Sequence, residues 1–415
     1  MSLTLRWVGE ADYDRVALTR TRCYAAAAKD AQRYGEYLRA ENRSKPGDFL
    51  LAESDGQAIG TTSSYSFTMW IRGAPLSCQG VAYVGTVRTA RRSGGVSKGL
   101  NTGVATQLMH ETLRKARDRR EIVSALMPFR ASFYEHFGYG LVETRVEWTV
   151  PLEIMPRVNC DGLRYVEPAD HEAIAVLRQR AVQRGQCDIE VARPTMDRRW
   201  RDFWTDGFEF VDRPDPNGPA HGWMVLQETQ VAGERYLRVE ELNYDAPENL
   251  RRLLSFLGSQ KDQFAGVVIT LPRDVPLNFL LRETQMPHRP VVHPAGSVRS
   301  YTRMQVRVLD HVRFFEKLQL PSKHARGEAT IGVKETEGNI SKFRLTIEAG
   351  RISAKSADSS PDLECSDVTW SSIACGDLPA STAAAWGLVQ VNRPAVVEAL
   401  DALSVGPAPF CNEYF

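Results

Sequence analysis

The fold turns on the stretch Val81–Met109, VAYVGTVRTARRSGGVSKGLNTGVATQLM. Its first residues are rich in β-branched and aromatic side chains and read as a strand. That strand runs through Arg91-Arg92-Ser93-Gly94-Gly95-Val96-Ser97 into a segment where Leu100, Val104 and Leu108 recur at helical spacing. Small residues at a helix start let several backbone N–H groups converge on an anion, and the helix dipole favours negative charge there. Arg91 and Arg92 add guanidinium groups suited to phosphate oxygens. The plain alternative is a glycine turn capping a helix, with two solvated arginines. Short glycine patterns are common, so the loop alone does not choose between them.

Outward from this loop, residues 1–150 read as helix, strands, helix and strands. A first helix is expected over roughly Ala11–Tyr37. Phe49–Glu53 and Ala58–Trp70 flank the turn-forming Ser54-Asp55-Gly56 and predict a hairpin, with a further strand over Gln79–Val87. Glu121–Leu126 and Val142–Val150 read as strands around a short helix at Ala131–Phe137. The chain breaks near Pro151–Pro156, and residues 151–300 repeat the order: a helix at Asp170–Arg184, a hairpin across Arg213–Pro219, a strand at Tyr236–Tyr244, a helix at Pro247–Gln260 and a strand at Ala265–Leu271. No glycine loop accompanies this second set. A third unit, 301–415, opens at Met304 with strands expected near Ala329–Val333, Lys342–Glu348 and Arg351–Ser356, and closes in helices.

Composition narrows the field. The 415 residues carry 52 basic and 51 acidic side chains and are 43% hydrophobic. This is the profile of a soluble globular protein of two to three domains, with no global field for nucleic acid or membrane. The longest apolar run, around Phe264–Leu271, is far short of the roughly 20 residues that span a bilayer, and the N-terminus lacks a signal-peptide pattern. Seven dispersed cysteines without a CxxC pair predict a reducing, cytoplasmic setting, and the eight histidines show no metal-ligand spacing, so no metal is expected.

Arg92-x-x-Gly95-x-Ser97 at a strand-to-helix junction resembles the acyl-coenzyme A loop of the GNAT acetyltransferases, whose usual form is Q/R-x-x-G-x-G/A; Ser97 departs from it at the last position. The resemblance implies that the backbone of Ser93, Gly94, Gly95, Val96, Ser97 and Lys98, with Arg92, holds the diphosphate of acetyl-coenzyme A. Gly85, Thr86 and Val87 would pair with its pantetheine amides as an added strand does.

Downstream, Ser132–Gly140 reads SFYEHFGYG. Acetyl transfer to an amine expels a thiolate, which a nearby phenol can protonate. FYxxFGYG resembles the Eis branch (enhanced intracellular survival acetyltransferases), and that match makes Tyr134 the general acid and places Phe129 and Arg130 beside the coenzyme. Tyr139 and His136 read as structural. The sequence ends PFCNEYF, an aromatic terminus whose burial would fix the α-carboxylate, ionised at pH 7 with a pKa of about 3.5. In Eis-type enzymes that carboxylate of a final Phe is the general base, so the match assigns the role to Phe415. Pro361–Leu363, Asp367–Ile373 and Ala383–Val389 resemble a sterol carrier protein.

The whole-chain resemblance therefore implies an α/β (α+β) architecture: two tandem GNAT-like domains, 1–150 and 151–300, then a sterol-carrier-protein-like α/β domain, 301–415, that delivers the C-terminus. The implied reaction is direct acetylation of a cationic, polyamine-like (aminoglycoside-like) small molecule in a hexameric enzyme, with no coenzyme in the second domain. The alternatives are acetylation of protein lysines and a non-catalytic lipid- or ligand-binding scaffold.

Overall fold

The computed structural model describes residues 3–24, 29–40, 43–91, 103–190, 207–286, 291, 294–321 and 326–415. Two compact units emerge, one of Met1–Val142, Met304–Gly406 and Glu413–Phe415, the other of Glu143–Arg303 and Pro407–Asn412.

The first unit is built on a mixed sheet in which Leu3–Val8, Phe49–Ser54, Gln57–Ile71, Ala74–Thr86, Val123–Leu126, Gln305–Val308 and Gly140–Leu141 lie side by side in that order. Asp55 and Gly56 make the expected tight turn with φ of 50° and 77°, the left-handed pair that a two-residue hairpin requires. Helix Val104–Asp118 lays Leu108, Met109, Leu113 and Ala116 on the sheet, and Val81, Leu126 and Tyr134 join the same core. The expected single first helix is two, Tyr13–Tyr24 and Asp30–Ala40.

Two strands join sheets other than those expected. Gln305–Val308, expected to open the third domain, completes the first sheet by pairing with Val123–Leu126 and Gly140–Leu141. The strand expected at Val142–Val150, placed in the first domain, is Arg145–Pro151 and lies in the second unit's sheet. A strand's alternating pattern fixes which face is buried and leaves its neighbour to tertiary pairing.

A separate five-stranded sheet carries the remainder of the first unit. Gly327–Lys334 lies between Ile340–Glu348 and Leu363–Ser366, and the buried rings of Phe315, Phe343 and Trp370 pack against it.

The second unit holds a seven-stranded sheet, with Gly222–Val231, Glu234–Tyr244, Gly266–Pro272 and Arg145–Pro151 at its centre. Helix Pro247–Ser259 buries Leu250, Leu253, Leu254 and Leu257 on one face of it. Among the described residues, no helix is long and apolar enough to cross a membrane.

Candidate active site

The site begins with a fork in the first sheet. Ala74–Thr86 pairs antiparallel with Gln57–Ile71 and parallel with Val123–Leu126, and the parallel register ends at Val81 opposite Leu126. Immediately beyond, the register with Gln57–Ile71 shifts: Ser63 faces Ala82 and Thr61 faces Gly85, so Tyr83 and Val84 stand opposite Thr62 alone. Such a bulge sharpens twist and frees a strand edge. The freed edge lines a cavity of about 1150 Å³, together with Tyr24, Arg91, Gly103 and Phe129.

Gly85 and Thr86 line this cavity as expected. A Cβ at Gly85 would come within 2.8 Å of the Tyr24 hydroxyl, which donates to the Val84 carbonyl, so any larger residue requires that ring to move. Val87 departs from expectation. It is buried, does not line the cavity, and donates its N–H to the Ile59 carbonyl at 2.9 Å, which leaves no donor for a ligand. Phe129 lines the cavity with an exposed ring, whereas Arg130 does not and turns its Nε to Ser132 Oγ at 3.1 Å. Arg91 anchors the wall by donating to the carbonyls of Thr86 and Cys23, each at 2.9 Å. Arg92, Ser93, Gly94, Gly95, Val96, Ser97 and Lys98 lie outside the described residues.

A smaller cavity of about 300 Å³ shares Tyr24, Val84 and Phe129 with the larger one and adds Tyr134, Phe415, Arg20, Tyr34, Tyr83 and Tyr414. Here the two residues expected to do acid and base chemistry come together, although 281 positions separate them (415 less 134). Tyr134 is 4% exposed on the short helix Ala131–Glu135. Burial, then the neighbouring Tyr24 and Tyr139, push its phenol well above the ordinary range, so it stays protonated at neutral pH. Burial likewise pushes the Cys23 thiol, on the wall of the larger cavity, up to about 11.

The end of the chain is firmly seated. Arg43 donates to the Tyr414 carbonyl at 2.8 Å and to the Tyr37 hydroxyl at 2.6 Å, and pairs with buried Glu413 at 3.4 Å. The Phe415 ring meets Phe67 edge-on, with centroids 5.2 Å apart. Tyr139 is buried with its hydroxyl 2.6 Å from Ser124 Oγ, and His136 is turned to the Ser132 carbonyl; neither lines the two cavities.

The acetyltransferase (GNAT) domain family matches residues 4–142 and, through a second description of that domain, residues 193–308; the sterol carrier protein domain matches residues 312–412. The chain is a GNAT-type N-acetyltransferase. An uncharacterised N-acetyltransferase of Streptomyces avermitilis is 23% identical over 399 residues, 89% of each chain. Among solved structures, a GCN5-related N-acetyltransferase from Anabaena variabilis superposes with a TM-score of 0.82 at 15% identity over the whole of both chains. Eis1 from Mycobacterium abscessus does so with a TM-score of 0.78 at 18% identity, again over both chains entirely. The three-domain fold is thus of the Eis type.

In this acetyltransferase the sequence reading overlooked Arg20, Tyr24 and Tyr83. Arg20 and Tyr24 stand four residues apart on one helix face, a spacing visible in the sequence, but only the folded sheet brings Tyr83 under the Arg20 guanidinium, 3.2 Å from its ring centroid. Among the described residues, one trio of carboxylates (Glu335, Glu337 and Asp367) has the spacing of an ion site. Arg307 lies among the three at 3.4, 2.6 and 3.7 Å, with Arg117 on Glu337 at 2.5 Å and His311 on Glu335 at 2.8 Å, so these carboxylates already sit in an ion-pair network.

Proposed function

We propose that this acetyltransferase moves the acetyl group of acetyl-coenzyme A directly to a primary amine of a small molecule held in the cavity shared by Tyr134 and Phe415. The observation that supports it is the juxtaposition of a buried phenol and the last residue of the sequence at the end of the fork cavity. Gly85 and Thr86 offer the strand edge for the pantetheine arm, and the loop Arg92–Lys98 takes the diphosphate. The amine lies within about 3–3.5 Å of the thioester carbonyl. The Phe415 carboxylate takes the ammonium proton, the C–N bond forms, the C–S bond breaks, the thiolate takes its proton from the Tyr134 hydroxyl, and the second proton shed by the nitrogen restores the Tyr134 phenol. A phenol in this pocket is a weak acid by aqueous standards. A thiolate expelled against the same apolar walls is more basic than in water, which favours the transfer.

Thiol release from acetyl-coenzyme A with a panel of primary amines, kanamycin among them, tests this reading. Tyr134→Phe is expected to lower kcat by about 10²–10⁴-fold with the KM for acetyl-coenzyme A little changed. Removal of Phe415 is expected to lower kcat comparably; equal rates with and without it would remove the carboxylate from the mechanism. Because the Tyr134 pKa is raised, its proton is lost only in strong alkali. The kcat profile should therefore show no falling limb from this residue below about pH 10.

The hexamer implied by the resemblance is part of the proposal, and sedimentation velocity checks it. The resemblance implies a cationic, aminoglycoside-like acceptor. Apart from the terminal carboxylate of Phe415, the described groups lining the inner cavity include no carboxylate, and Arg20 is the cation among them.

A further inference from the structure

Arg20 is the least explained group in the acceptor cavity. It projects from helix Tyr13–Tyr24, is only 2% exposed, and lies with its guanidinium over the Tyr83 ring at 3.2 Å and 5.4 Å from that of Tyr34. The ring faces attract the cation but accept no strong hydrogen bond. Its Nη1 is buried without a hydrogen-bond partner, and no described carboxylate pairs with it. A buried guanidinium in this state is costly, and buried charges are ordinarily paired. This one lines the same 300 Å³ as Tyr134 and Phe415.

The remaining walls are apolar or aromatic: Tyr24, Tyr34, Tyr83, Met127 and Phe129. The Phe415 carboxylate meets the single amine that reacts; further cationic groups would meet the fixed charge of Arg20, whereas an anionic group would complete its hydrogen bonding.

We propose that the acceptor is an aromatic amino carboxylate: its amine faces Tyr134 and Phe415, its carboxylate pairs with Arg20, and its ring lies among the tyrosines. The inference rests on the acetyl-transfer reading and adds the substrate class to it. Arg20 acts in it as a specificity residue, and the transferred atoms balance as in the amine reaction already given.

The test compares amines that differ only in the carboxylate. L-Phenylalanine and L-tyrosine are set against phenethylamine and tyramine, with kanamycin as the polycationic reference. Thiol release from acetyl-coenzyme A is read for the full chain and for Arg20→Gln and Arg20→Met. The expectation is that kcat/KM for the amino acids exceeds that for the decarboxylated amines by about tenfold to a hundredfold, and that both variants erase the difference mainly through KM. The wild-type preference itself needs no variant, so a misfolded Arg20 substitution leaves the test intact.

If the enzyme acetylates kanamycin or phenethylamine at least as well as the amino acids, the substrate class is overturned and acetyl transfer stands. A wild-type preference for the amino acids that persists in both variants overturns the role of Arg20. If no amine is acetylated although calorimetry shows acetyl-coenzyme A bound, the acetyl-transfer reading fails, and the substrate class with it.

Discussion

The two GNAT domains contain the same fork and fill it differently. In the first, the parallel pairing of Ala74–Thr86 ends at Val81, just ahead of the bulge at Tyr83 and Val84; in the second, the parallel pairing of Glu234–Tyr244 ends at Val239, just ahead of a bulge at Glu240. In each case the extra residue lies on the strand that parts from its neighbour. Beyond the fork strand the two chains diverge. The first continues toward the glycine-bearing loop, whereas the second passes through Asp245 and Ala246 into a helix with Pro247 in its first turn.

The second fork is also occupied. Arg238 pairs with Glu147 at 3.2 Å, Arg178 with Glu241 at 3.0 Å and Arg184 with Asp245 at 3.3 Å. The chain's own Pro407–Asn412 lies along it, with the Ala408 N–H on Asp274 and Asn412 on Asp188. There remains a crevice of about 480 Å³ between charged walls. The fork is thus a property of the fold, and what differs is its edge: Gly85 and Thr86 line the first, whereas the second carries ion pairs.

The largest expected effect comes from making the first fork resemble the second. Gly85→Val places a branched side chain where even a Cβ meets Tyr24 at 2.8 Å. Binding of acetyl-coenzyme A, followed by calorimetry, should weaken by roughly a hundredfold or more, since the strand edge is lost along with the space.

Next is the seat of the tail. Arg43→Ala leaves Glu413, 1% exposed, without the guanidinium that faces it. Breaking a buried pair in this way costs roughly 3–5 kcal/mol, so thermal unfolding should move several degrees lower and kcat should fall as Phe415 loosens. If unfolding shifts and kcat does not, Phe415 has no part in the chemistry.

The smallest effect belongs to the second fork. Asn243 is 2% exposed there, and both polar atoms of its side chain lack partners. Asn243→Leu should be neutral or raise the unfolding temperature by a few degrees without touching kcat/KM. A marked loss of activity would assign this fork a ligand of its own.

Much of this was legible in the sequence because the signals were local. The turn at Asp55-Gly56, the glycine of the fork strand, the tyrosine of SFYEHFGYG and the aromatic terminus each declare themselves within a few residues. Resemblance along the whole chain supplied their order. Illegible were the facts that depend on distant neighbours. The pattern of Val306 and Val308 suits any sheet, and only the pairing with Val123–Leu126 places them in the first. Val87 reads like Gly85 and Thr86 until its N–H is found on Ile59. Arg20 looks like a surface arginine on a polar helix, and its burial over Tyr83 arises from a contact across 63 positions of sequence (83 less 20).

Tyr83 carries a constraint of a different kind. Its φ of 55° lies in the left-handed region that a non-glycine residue occupies at a cost of about 1–2 kcal/mol. Backbone economy alone would install glycine or asparagine there. Mutational drift at this codon is therefore caught between two demands: a smaller residue relaxes the chain but unseats the guanidinium resting on the ring, while a β-branched one strains the bulge further. Among sequences diverging from this one, aromatic residues at position 83 and arginine at position 20 should be gained and lost together.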